Sequence, residues 1–140
     1  MTSIRRVGDR VWFVPQRTSY FYETLPCIDA ATSGYTAVAF SIRAPKDASI
    51  TLEVQTMDNC AASTYNSTYR SVGGFAGRPQ RLKIPLDTFQ GANMNAVFAF
   101  TWSTFDFYSD KNFMWQLADV ELVCNCTGHR VAGVEQVCTA

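Results

Sequence analysis

Flat aromatic side chains set among polar neighbours are the residues of this sequence best suited to chemistry. Tyr65 and Tyr69 sit in the run Tyr65-Asn66-Ser67-Thr68-Tyr69, Trp102 precedes a cluster of Phe105, Phe107 and Tyr108, and Trp12 lies near the start. Trp and Tyr present large, rigid area at low entropic cost and keep a polar tip. The C–H face of a sugar ring stacks on such a surface, while its hydroxyls pair with amides, carboxylates and guanidinium groups. Glu53 and Gln55 in one alternating segment, and Arg81 and Lys83 in another, are the candidates for those polar contacts. If the segments that carry them are neighbours, four polar groups flanked by aromatic loops make an oligosaccharide groove. Each residue also has a plainer reading, since a Trp is usually largely buried and a charged strand face is usually just solvated.

Other chemistries find little support. Carboxylates for acid–base work occur at Glu23, Glu53, Asp106, Asp110, Asp119 and Glu121, but they come from separated segments and show no catalytic pair. No phosphate-cradling loop, zinc-binding His-Glu-x-x-His helix or nucleophile elbow is present, and Gly73-Gly74-Phe75-Ala76-Gly77 lacks the strand-to-helix setting a phosphate loop requires. A zinc site needs two close ligand pairs, whereas here only Cys124 and Cys126 are close, followed by the lone His129. The expectation is a protein without catalysis of its own.

The five cysteines, Cys27, Cys60, Cys124, Cys126 and Cys138, are many for a chain this short in a reducing compartment. Two glycosylation acceptors, Asn66 to Thr68 and Asn125 to Thr127, point the same way, to a secreted, disulfide-bonded glycoprotein. Cys27 with Cys60, and one of Cys124 or Cys126 with Cys138, is the preferred pairing, although sequence alone leaves the connectivity open. No apolar segment stands behind the Arg-rich first residues, so the given residues show no secretory signal.

Composition bounds the rest. A chain of 140 residues with 47% hydrophobic and 14% aromatic content can bury one core. Twelve basic residues balance twelve acidic ones, so a net charge of +0 offers no long-range attraction to nucleic acid or an anionic membrane. Apolar runs such as Val11 to Pro15 and Ala96 to Phe100 are far short of the roughly 20 residues that span a bilayer.

The elements that must position these residues are strands. Val11 to Val14 and Tyr20 to Tyr22 are rich in β-branched and aromatic residues, and no helical period appears beside them. Tyr35 to Ile42 and Ser49 to Thr56 alternate apolar and polar positions around an Ala44-Pro45-Lys46-Asp47 turn, which reads as an antiparallel hairpin. Met57 to Pro79 reads as a long loop with room for a short strand. Arg81 to Leu86, Ala96 to Trp102 and Trp115 to Cys124 are further strands, with one helical turn at Asp87 to Gln90 and an aromatic loop over Thr104 to Asn112. Together they predict an all-β antiparallel β-sandwich: a single domain over 1–140, with its core at about 11–124 and a C-terminal tail at 125–140.

Four segments carry a family resemblance: Tyr35 to Arg43 (YTAVAFSIR), Ala48 to Gln55 (ASITLEVQ), Arg81 to Gly91 (RLKIPLDTFQG) and Trp115 to Leu122 (WQLADVEL). Their order and pattern resemble the galactose-binding-like β-sandwich found in many carbohydrate-binding modules, which implies a jelly-roll arrangement of the strands. The resemblance implies non-catalytic binding of a polysaccharide or oligosaccharide by a monomer, or by a module tethered to a cell-wall-active enzyme. The ligand would be held on the concave sheet or by loops at one end. It also implies a structural Ca²⁺ in many members, held by an acidic residue on the last strand; Asp119 matches that position, with Glu23 and backbone carbonyls as its complement. The ligand set expected is therefore Trp102, Tyr108, Tyr65, Tyr69, Glu53, Gln55, Arg81 and Lys83. Two other classes remain open: a secreted or cell-surface domain whose aromatics anchor a protein partner, and a small glycan-cleaving enzyme using two carboxylates.

Overall fold

The computed structural model describes residues 3–7, 10–16, 18–106 and 112–124, the first of these as backbone only. Strict two-residue alternation dominates them. In β5 (Ser49–Thr56) every second residue, Ile50, Leu52, Val54 and Thr56, is buried, while Ser49, Thr51, Glu53 and Gln55 are half-buried. A strand that buries one face needs a partner layer to cover it. That layer comes from β4 (Ala37–Arg43), whose Val38, Phe40 and Ile42 are buried at 2% exposure or less.

Nine strands form among the described residues, in two antiparallel sheets. The five-stranded sheet has the order β1 (Ser3–Val7), β2 (Arg10–Val14), β9 (Trp115–Val123), β4, β7 (Gln80–Pro85). The four-stranded sheet has the order β3 (Tyr20–Ile28), β8 (Val97–Asp106), β5, β6 (Asn66–Val72). From β2 to β5 the chain alternates between layers, and β6 to β9 slot back beside them in reverse, which is the jelly-roll arrangement of two Greek keys. One 3-10 turn, Leu86–Thr88, follows β7.

Between the layers lies an aromatic core. Trp115 packs against Phe13, Phe75 and Phe105 at centroid distances of 6.1, 6.1 and 5.3 Å, and Trp102 meets Phe40 edge-on at 5.5 Å. Phe89 and Phe100 extend the cluster. Such pairs add about 0.5–1.5 kcal/mol each beyond the area they bury.

The expected hairpin between β4 and β5 does not form. The two strands belong to opposite sheets, β4 pairing with β7 and β9, and β5 with β6 and β8. Their apolar faces meet across the core instead of lying side by side in one sheet, and the turn at Pro45, where the Ala48 N–H donates to the Pro45 carbonyl at 3.0 Å, carries the chain between layers. The polar segment expected to be mainly loop contains β6, an edge strand with one buried residue, Val72.

Cys27 and Cys60 are disulfide-bonded, with Cα atoms 5.5 Å apart, tying the end of edge strand β3 to the loop after β5. Cys124 is also in a disulfide. Cys126, Cys138, the Asn125 acceptor and the expected tail lie outside the described residues. At the same end of the sandwich the Asp29 carboxylate accepts from the Thr32 N–H at 2.9 Å and from Asn95 Nδ2 at 2.8 Å, stapling loop 29–34 to loop 93–96. The Thr32 backbone hydrogen bond, then that from Asn95, hold its carboxyl below the ordinary aspartate value.

Candidate functional site

Alternation in the four-stranded sheet leaves one face outside the core, and register fixes what stands on it. Tyr22 on β3 is opposite Thr101 on β8, which is opposite Glu53 on β5, which is opposite Tyr69 on β6. The rows on either side are Tyr20, Ser103, Thr51, Ser71 and Thr24, Ala99, Gln55, Ser67. Bulky rings therefore stand on the two edge strands, and small or short polar residues floor the centre. Tyr20 is 62% exposed, Tyr22 57% and Tyr69 61%, whereas Ala99 is buried and Thr101 half-buried.

Glu53 is the polar centre of this face. Its Oε2 accepts from Gln55 Nε2 at 3.0 Å and from the Ser67 hydroxyl, which fixes the carboxylate upright between strands. Both donors found among the described residues stand on Oε2, not on Oε1. Tyr20 and Tyr22 stack on each other, with centroids 6.3 Å apart and 23° between planes, a ready-made aromatic wall along β3. Tyr65, just before β6, is 56% exposed and rests edge-on against Phe98 at 5.5 Å. Phe98 is the extra residue of a β-bulge, since Gln55 pairs with Ala99 and Thr56 with Val97. Bulged outward in this way, it is half-buried and not a core residue.

The expected site residues are thus divided. Glu53, Gln55, Tyr69 and Tyr65 come together at this face. Arg81 and Lys83 do not: β7 belongs to the five-stranded sheet, so both lie on the opposite outer surface of the sandwich. Their two-residue alternation with Leu82 and Ile84 puts them on an outward face, but the period says nothing about which sheet owns the strand. Arg81 reaches across β4, donating to Ser41 Oγ at 3.3 Å and to the Asp119 carbonyl at 3.1 Å, and it forms an ion pair with Glu121. It clamps three strands together.

Trp102 is also misplaced by the sequence reading. It is fully buried, between Phe21, Phe40 and Phe100, and presents no face to a ligand. Phe105 is likewise core, while Trp12 is half-buried on the far sheet beside Gln116. Tyr108 and Phe107 lie outside the described residues. The sequence reading singles out neither Tyr20 nor Tyr22 for binding; the signal available is the alternation of Tyr20, Tyr22 and Thr24 with Phe21 and Leu25, which turns both tyrosines away from the core.

Calcium fits poorly. Asp119 lies at a β-bulge on β9 with φ 54°, on the outer side of the five-stranded sheet, whereas Glu23 belongs to β3 of the other sheet and shares the inward side with Phe21. The two carboxylates do not converge, and among the described residues no three His, Cys, Asp or Glu side chains gather to hold an ion.

No family model matches the sequence, and no curated protein matches it. Among solved structures the chain is similar to the crystal structure of a family 30 carbohydrate-binding module. The TM-score is 0.56, with 12% sequence identity, and the likeness covers 86% of this chain and 87% of that one. The likeness is one of fold: this chain has a β-sandwich of the kind a carbohydrate-binding module carries, and the galactose-binding-like subtype is not indicated.

Proposed function

We propose that the protein is a non-catalytic carbohydrate-binding domain that holds a polysaccharide across the open face of its four-stranded sheet. The observation that carries this reading is the row Tyr22–Thr101–Glu53–Tyr69, with an exposed ring at each end and a carboxylate held upright between them. Adjacent strands are about 4.8 Å apart, so the two rings stand about 14 Å apart across three gaps. That span suits a chain of several sugar rings stacked at both ends and hydrogen-bonded in the middle. The face is open and strand-borne, so a long polymer can enter and leave it at either side.

Within this reading the domain has no hydrolytic role, because none of the register neighbours of Glu53 is a second carboxylate to complete the pair that glycoside hydrolysis uses. A disulfide and a polysaccharide ligand suit an extracellular protein acting alongside, or attached to, a cell-wall-active enzyme. The test is affinity electrophoresis in gels containing a panel of soluble polysaccharides, with pull-down on insoluble ones. At least one polysaccharide should retard the protein, and Tyr22→Ala and Tyr69→Ala should each reduce the retardation. If no polysaccharide is bound, or if both variants are retarded like the parent, the reading is wrong and the rings are better explained as anchors for a protein partner.

A further inference from the structure

Among the described residues, the strand-borne cations on outward positions stand on the five-stranded sheet. Among the described residues, the three cross-strand rows of the four-stranded sheet carry one charged group, Glu53, and no Lys or Arg. The opposite surface carries Arg10, Arg43, Arg81 and Lys83 against Asp119 and Glu121. A fixed negative charge with no cation in these rows favours positive ligands and opposes negative ones, and it lies where a ligand chain spanning Tyr22 and Tyr69 must pass.

We propose that Glu53 makes the binding face a charge filter: it accepts neutral glycans, takes amine-bearing glycans more tightly, and rejects those carrying uronate or other acidic substituents. This inference rests on the polysaccharide-binding reading and names the substrate class for that site. Glu53 Oε2 is engaged by Gln55 and Ser67. Both of those contacts are neutral donors that hold the carboxylate without cancelling its charge. An ammonium about 4 Å away is favoured by about 1 kcal/mol even at the dielectric constant of water, and a carboxylate is opposed by as much, which is about five-fold in affinity each way.

The experiment takes a polysaccharide that retards the protein and compares it unmodified, carboxymethylated and aminoethylated, at matched low substitution. At low salt, retention should follow the order aminoethylated, unmodified, carboxymethylated, in steps of about five-fold, and the steps should shrink at 1 M salt, where the Debye length is about 3 Å. Glu53→Gln should bring the three forms together. Where that variant fails to fold, Thr51→Lys, which adds a cation to the adjacent row and offsets the Glu53 charge, should likewise bring the three forms together. Arg10→Gln with Lys83→Gln, on the far sheet, should leave the order as it is. A carboxymethylated form held as tightly as the unmodified one overturns the filter while leaving polysaccharide binding intact. An order unchanged in both Glu53→Gln and Thr51→Lys overturns it too, and absence of binding to any polysaccharide removes both proposals.

Discussion

A ligand lying across the strands must meet Tyr22 and Tyr69 at once, and a double-mutant cycle reads this directly. Full burial of a large apolar side chain is worth about 1.5–3 kcal/mol. Tyr69 is 61% exposed and Tyr22 57%, so just over half of each ring remains to be covered, and a stacked sugar covers one side of that. Each ring then contributes about 1 kcal/mol, a five-fold change in Kd on truncation to Ala. The rings are about 14 Å apart, beyond the range of about 7–10 Å where effects couple, so the double variant should lose about 2 kcal/mol, close to thirty-fold. A disaccharide reaches one ring only, so for it one single variant is silent and the double variant matches the other. Titration calorimetry with a long and a short oligosaccharide measures all of these, and thermal melts check that the exposed substitutions move stability by no more than about 0.5 kcal/mol. Equal losses for long and short ligands, or a long ligand indifferent to either ring, would refute a path across the strands.

Trp102→Ala should cost about 3–5 kcal/mol of stability, because it empties a fully buried site between the sheets; denaturant unfolding measures it, and a loss of binding with unchanged stability contradicts the placement. Replacing Cys27 and Cys60 together by Ser opens a loop of 33 residues' separation and should lower stability by up to about 4 kcal/mol in chemical denaturation under oxidising conditions. The Asp29 carboxyl should titrate below the ordinary aspartate value in an NMR pH series. Because its folded value is lowered, its contribution to stability is complete above the unfolded value of 3.8 and fades as pH falls through the folded midpoint; Asp29→Asn should remove that part of the acid dependence.

The period-two pattern is legible wherever one side of a strand is buried. β5 is readable from Ser49 to Thr56 without error, because Ile50, Leu52 and Val54 mark one side and Glu53 and Gln55 the other. Partner choice is not legible in the same pattern: strands of either sheet bury a face in the same core, so β4 and β5 look like a hairpin and Arg81 and Lys83 look like neighbours of Glu53. β6 reads as no more than room for a short strand in a loop, because an edge strand with a solvated outer face buries little, and Asn66, Ser67 and Thr68 resemble loop residues. Trp102 and Tyr22 show the same limit from opposite sides. Both are aromatic residues on strands paired with each other, yet one residue's difference in register sends Trp102 into the core and Tyr22 out of it. Composition fixes how many rings must be hidden, and topology decides which.

The place of β9 also governs how the protein can be made. It lies between β2 and β4 and hydrogen-bonds to both, although it is the last strand in chain order among the described residues. Until Trp115–Val123 has left the ribosome, β1–β2 and β4–β7 are two separate ribbons with bare inner edges, and Phe13 lacks the indole it packs against. Unpaired edges of this kind recruit other strands, and pairings between distant segments form slowly. Synthesis therefore passes through an exposed, association-prone stage that this sheet leaves only when β9 is inserted between β2 and β4.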